Sequence, residues 1–133
     1  MTIRYKRPDN KDALSLLESA RREMKYTLTI PLTEESGATI IRNIYECFRM
    51  LGDSLLVKQG IESQDHIMPI NELMKIKISI LRPINLIDNL RRLRHNVNYY
   101  GYKPKLEEVR DFLDFAKKCF VSISKEVGRI INN

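Results

Sequence analysis

Apolar residues recur along this chain at steps of three and four, the spacing of one face of a helix. Leu14, Leu17, Met24 and Leu28 share such a face. Asp9 or Asn10 stands where a cap is needed, and Asp12 places a carboxylate in the first turn. Pro31 stops the run. Thr33, Glu34 and Glu35 carry the chemistry of a second helix start, and Ile41, Ile44, Phe48, Leu51 and Leu55 form its stripe. Gly60 suits the left-handed residue just past its end. Residues 61–70 are the least regular stretch and predict a loop leading into a short helix around 65–77. Lys75-Ile76-Lys77-Ile78 alternates as a strand would, but four residues are too few to carry one.

Pro83 fits the first turn of a fourth helix, whose narrow face is Leu86, Leu90, Leu93 and Val97 and whose end is Gly101. After Pro104, Leu106, Val109, Leu113, Ala116, Phe120, Ile123, Val127 and Ile130 keep a seven-residue repeat. Phe112, Phe115 and Cys119 widen that stripe beyond a two-position seam, which suits a bundle helix better than a two-chain coiled coil. Glu107 and Glu108 favour its N-terminal dipole. The pattern predicts an all-α fold: a single domain over 1–133, an antiparallel bundle of four to five helices with a long C-terminal helix. The short 100–104 turn predicts a hairpin of the last two.

Composition agrees with a globular chain. Of 133 residues, 43% are hydrophobic and 30% charged, which excludes a disordered chain. No apolar run is long enough to span a membrane, and MTIRYKRPDNKDA has no apolar core behind its basic residues, so no secretory leader is expected. Cys47 and Cys119 cannot make a disulfide framework or a four-ligand zinc site, and both fall on apolar faces. They are read as buried thiols, and the compartment as a reducing cytoplasm. His66, next to Asp65, suits a cap or a local hydrogen bond; with His95 it forms no metal-ligand spacing, so no metal and no cofactor are expected. Phosphate-loop, dinucleotide-binding and nucleophile-elbow strings do not occur.

Charge singles out the C-terminal part. Residues 1–80 carry 12 basic and 11 acidic side chains, whereas 81–133 carry 11 and 6. Arg82, Arg91, Arg92, Arg94, Lys103 and Lys105 face only Asp88 within 82–105. Such a patch favours an anionic partner, unless it is simply a solvated helix face. Its densest part is Arg91-Arg92-Leu93-Arg94-His95-Asn96-Val97-Asn98-Tyr99-Tyr100-Gly101-Tyr102. At about 100° per residue, Arg94 and Asn98 border the apolar face, while Arg91 and His95 lie further out as neighbours. Arginine supplies a planar donor fork for phosphate, histidine exchanges protons near neutrality, and Tyr99, Tyr100 and Tyr102 supply rings for unpaired bases. RNA or nucleotide binding would draw on Arg91, Arg92, Arg94, Asn98, Tyr100, Tyr102 and Lys103. Metal-free phosphodiester cleavage would fall to Arg94, His95 and Tyr99.

The last third of the chain resembles HEPN domains, all-helical bundles named for nucleotide binding in higher eukaryotes and prokaryotes. One branch ends a helix with Arg-Asn-x-x-Asp-Tyr-Gly and then begins a long helix that starts acidic and carries Ala-x-x-Phe. Arg94-His95-Asn96-Val97-Asn98-Tyr99 with Gly101 is similar to the first part, and Leu106-Glu107-Glu108-Val109 through Phe115-Ala116-Lys117-Lys118-Cys119-Phe120 to the second. Gly60-Ile61 followed by Asp65-His66 is similar to a Gly-Ile…His stretch upstream. Cleaving members carry Arg, four to six residues, then His. Here Tyr99 stands at that place after Arg94, and Arg91 to His95 is one residue short. A tyrosine of ordinary pKa, about 10, is a poor base at neutral pH. Asn98 replaces the branch's Asp. The resemblance implies binding of RNA or nucleotide without efficient cleavage, a twofold homodimer, and a nucleotidyltransferase partner of the toxin–antitoxin kind. Two other readings stand beside it: a helical interaction or dimerisation module without ligand chemistry, and a weak metal-independent ribonuclease.

Overall fold

A computed structural model of the protein describes residues 3–133. Its elements run β1 (Arg4–Tyr5), α1 (Asn10–Thr27), α2 (Gly37–Gln59), β2 (Ile61–Glu62), α3 (Ile67–Met74), α4 (Leu86–Tyr100) and α5 (Leu106–Asn132). The expected all-α bundle with a long last helix is what forms. The two short strands make one antiparallel rung, Arg4 opposite Glu62 and Tyr5 opposite Ile61.

Helix α2 is the axis of the fold. The other four helices all lie against it. Ile40, Ile41, Ile44, Tyr45, Cys47, Phe48, Leu51, Ser54, Leu55 and Leu56 are all buried, so this helix is enclosed on most sides rather than along one stripe. The Phe48 ring lies 5.4 Å from those of both Phe115 and Phe120 of α5, tilted to the first and edge-on to the second. Gly52 lets α3 approach closely: a Cβ there would lie 2.0 Å from the Pro69 carbonyl oxygen. Gly60 and Gly101 take the left-handed conformation that ends α2 and α4, as expected of both.

Several boundaries differ from the expected ones. Helix α2 begins at Gly37 rather than at Thr33, because residues 33–36 close into a turn of their own. Thr33 N donates to Ser36 Oγ at 2.9 Å, and Ser36 N donates back to Thr33 Oγ1 at 3.2 Å. Helix α3 is shorter than expected. Its start is held by the Asp65 carboxylate, which accepts from the backbone of Ile67 and Met68 at 3.0 and 2.9 Å; the capping group is therefore Asp65, not His66. Pro83 lies one turn ahead of α4, where Leu86, Ile87 and Asp88 donate to Pro83, Ile84 and Asn85. Residues 76–80 form no strand, yet the alternation has a use: Ile76, Ile78 and Ile80 are half-buried while Lys77 and Ser79 are exposed.

The α4–α5 hairpin is not the tightest backbone pairing of either helix. The 101–105 turn joins these helices, but α4 makes its close backbone approaches to α2 and α3, and α5 makes its own to α2 and α1. Ile87, Leu90, Leu93 and Val97 form the one buried face of α4, and α2 covers it. The pairings set the directions. Arg42 near the start of α2 meets Asn98 near the end of α4, so these two run antiparallel. Lys58 at the end of α2 donates to the Ile131 carbonyl at 2.8 Å, so α2 and α5 run parallel.

Candidate nucleic-acid interface

Most of the basic excess at 82–105 is neutralised within the fold. Arg82 Nη1 bridges Asp111 and Asp114 of α5 at 2.9 and 3.1 Å. Arg91 and Arg92 both reach the Asp88 carboxylate one turn below, at 2.9 and 2.6 Å. Burial works against ionisation of Asp88, but the two guanidinium groups outweigh it and hold the carboxyl below its usual range. Lys103 lies 3.6 Å from Glu34. Arg91, Arg92 and Lys103 are thus not the free cations the composition suggests. Tyr102 is also engaged: its hydroxyl donates to Glu108, which raises the phenol pKa, and the same carboxylate oxygen accepts from Lys105 N at 2.9 Å.

Arg94 is different. It takes part in none of the ion pairs among the described residues. Its guanidinium carbon lies 5.0 Å from the ring centroid of Tyr45 on α2, a cation–π seat. One rung along the α2–α4 pair, Arg42 Nε donates to Asn98 Oδ1 at 2.7 Å, and Arg42 likewise has no ion-pair partner among the described residues. Arg94 and Asn98 border the apolar face of α4, as their helical angle predicts, and that border is where α2 arrives. Two arginines are therefore oriented by a ring and an amide, neither of which cancels their charge.

The floor beneath Arg94 is polar and comes from α2 and α3. Tyr45 is buried, and burial raises its phenol pKa against the pull of Arg94. Its hydroxyl lies 3.4 Å from the His66 carbonyl, and its ring 6.3 Å from the exposed His66 ring. Arg49 donates to Glu46, its Nε at 3.0 Å from Oε2, and pairs with Asp53 on its other side. The Arg49 hydrogen bond holds the Glu46 carboxyl low, whereas burial pushes that of Asp53 up despite Arg49. Sequence reading missed Arg42, Tyr45, Glu46 and Arg49. The signal was present: Arg42, Glu46, Arg49 and Asp53 step by four, three and four along an otherwise apolar helix.

His95 and Tyr99 do not join Arg94. The His95 ring sits 4.7 Å from that of Tyr99 and 5.7 Å from that of Tyr100, a small aromatic cluster with Tyr99 65% and Tyr100 76% exposed. None of the five clefts described on the surface is lined by Arg94, His95 or Tyr99. Arg94 thus turns toward α2 at Tyr45, and the Tyr99 and Tyr100 rings turn toward solvent. Among the described residues no three His, Cys, Asp or Glu side chains converge as a metal site, and no helix is long and apolar enough to cross a membrane. Cys47 and Cys119 are buried, and burial pushes the Cys47 thiol up to about 12. Scans against protein-family models, curated proteins and solved structures find no match to this chain.

Proposed function

We propose that the α2–α4 face binds the phosphates of single-stranded RNA or of a nucleotide, in a HEPN-like helical domain that does not cleave its ligand. The observation that carries this reading is the pair Arg94 and Arg42, oriented by Tyr45 and Asn98 and left without carboxylate partners. A guanidinium held in place by a ring or an amide keeps its full charge and its donor fork for a phosphate. The exposed Tyr99 and Tyr100 rings at the end of α4 offer stacking surfaces for unpaired bases. Cleavage is disfavoured by the same geometry. The candidate proton carrier, His95, leans on Tyr99 and Tyr100, while Arg94 turns to Tyr45. A twofold mate would double a two-arginine site, which is the physical use of the homodimer implied by the resemblance. The nucleotidyltransferase partner is a further part of the proposal and rests on that resemblance.

The test is fluorescence anisotropy with labelled oligouridylate, and with ATP as competitor, across a salt series. Binding is expected at low salt, falling steeply as salt rises. The double substitution Arg42→Ala/Arg94→Ala is expected to weaken it and to flatten the logarithmic salt slope by about 1.4, roughly 0.7 per lost phosphate contact on a single strand. No binding at low salt would remove the proposal. RNA cleavage in EDTA that Arg94→Ala abolishes would replace it with the ribonuclease reading.

A further inference from the structure

A second basic feature lies on α1 and α5, away from the α2–α4 face. The two helices run antiparallel here, with Asn10 Nδ2 donating to the Ile131 carbonyl at 3.4 Å and Arg21 Nη2 to the Ser124 carbonyl at 3.3 Å. Between them is a hollow of about 410 Å³, within the usual range of small-molecule sites, about 300–1,000 Å³. Its surface is built from Met24 of α1, Leu28 just past the end of α1, and Ala116, Phe120 and Val121 of α5. Val121 is 60% exposed, an apolar side chain left at the mouth.

Every charged residue lining this hollow is a cation. Arg21 and Lys25 stand one turn apart on α1; Lys117 and Lys125 stand eight residues apart on α5, about 12 Å along its axis. Arg21 is paired with Glu18 and, through the Ser124 carbonyl, closes one end. Lys25, Lys117 and Lys125 take part in none of the ion pairs among the described residues. An apolar interior with an unneutralised positive rim recognises one chemical class: a body that leaves water joined to a negative head that stays near it. A second copy of the chain is a poor occupant, since a twofold axis through the cleft would set four cations against four.

The geometry points to this cleft as the binding site for a single-chain anionic amphiphile, an acyl chain bearing a carboxylate or a comparable anion. The chain lies over Met24, Ala116 and Phe120, and the anion meets Lys117 or Lys125 at the rim. No other property of the protein is needed for this site, and it stands or falls independently of RNA binding.

The experiment titrates the full chain with dodecanoate below its micellar concentration, read by amide chemical shifts. Dodecanol, dodecylamine and anionic phospholipid vesicles form parallel arms. Saturable one-to-one binding is expected, with shifts centred on residues 116–125 and 21–28. Dodecanol and dodecylamine should bind about tenfold more weakly or worse, the loss of one charged contact being about 1.4 kcal/mol. Lys117→Gln/Lys125→Gln should weaken dodecanoate about tenfold without changing the melting temperature, because both side chains are exposed. Val121→Asp supplies a second variant that spoils the mouth with a charge of the wrong sign. Equal affinity for all three amphiphiles, shifts centred on another face, a change of oligomeric state in place of one-to-one binding, or response to vesicles alone would each overturn the assignment.

Discussion

The α2–α4 face and the α1–α5 cleft are both basic, yet their cations are held in opposite ways. On the first, Arg94 and Arg42 are oriented by Tyr45 and Asn98 on a polar surface that also carries Glu46, Arg49 and His66. On the second, lysines ring an apolar hollow and only Arg21 has a fixed partner. Net charge does not distinguish them; the material beneath the charge does. A polar floor gives an apolar chain nothing to displace water from, and a planar fork suits a phosphate. An apolar floor rewards burial, and flexible ammonium groups suit whatever anion the chain carries with it. The contrast assigns phosphate to one face and an amphiphile to the other.

The hardest blow to this contrast is struck at Gly52, where α3 meets α2. A Cβ there would meet the backbone of Pro69 at 2.0–2.9 Å, and backbone has no flexible end to yield. Gly52→Ala gains about 1 kcal/mol of helix propensity but must displace α3, so a net loss of about 3 kcal/mol or more is expected. Thermal unfolding measures it. The contrast adds a second expectation. His66, which borders the Tyr45 floor of the arginine face, travels with α3, so RNA binding should suffer in the folded fraction while dodecanoate binding persists. Loss of both ligands in equal measure would show that the two sites are not separate.

Next in size is the crossover. Arg42→Ala/Arg94→Ala should reduce RNA affinity about tenfold and leave dodecanoate unchanged; Lys117→Gln/Lys125→Gln should do the reverse. At moderate salt, charges further apart than about 10 Å are screened, so neither pair should reach across the molecule by field alone. Anisotropy and chemical-shift titration on the parent and the two double variants decide it.

How much of this was open to sequence reading depends on the range of each interaction. The helices were legible because their periodicity is local; Ile41, Ile44, Phe48, Leu51 and Leu55 are all buried as their spacing requires. What α4 and α5 pack against was not, because a stripe names a buried face and never its neighbour. The signal for α2 as the axis lay in residues such as Ile40, Cys47 and Leu56, apolar positions outside the stripe. The site divides the same way. Asp88 with Arg91 and Arg92 is an i, i+3 and i, i+4 set, readable from spacing, and it should have discounted that patch. The Arg42–Asn98 contact joins residues 56 apart and has no local signature.

Tyr45 sharpens the arginine half of the comparison by a smaller effect. If its ring seats Arg94, Tyr45→Phe should keep RNA affinity within about twofold, since a phenylalanine face still attracts a guanidinium. The 3.4 Å hydroxyl contact to His66 is long enough that little stability should go with it. Tyr45→Leu removes the π face and should cost about 0.5–1 kcal/mol of binding, a two- to fivefold loss. Equal affinities for the Phe and Leu variants, measured by anisotropy with melting curves as control, would show that the ring does not orient the arginine.

The smallest expected effect comes from removing an acid. Asp88 occupies both Arg91 and Arg92, so Asp88→Asn frees two cations beside Arg94. If the face binds phosphate, RNA affinity should rise, by about two- to threefold, and the salt slope should steepen. Stability moves the other way. The folded-state pKa of Asp88 is depressed, so its contribution is fully present above the ordinary carboxylate range and is lost as pH falls through the folded value. Asp88→Asn should therefore be less stable than the parent by about 1 kcal/mol at neutral pH, from the loss of two helical pairs and a first-turn acid. That gap should close as pH falls below the ordinary carboxylate range and through the depressed folded value, where the parent's own carboxyl takes up its proton. A gap that persists at low pH would assign the loss to something other than charge. An affinity that falls with Asp88→Asn would mean that Arg91 and Arg92 serve α4 only when paired, leaving Arg94 and Arg42 as the cations that meet the ligand.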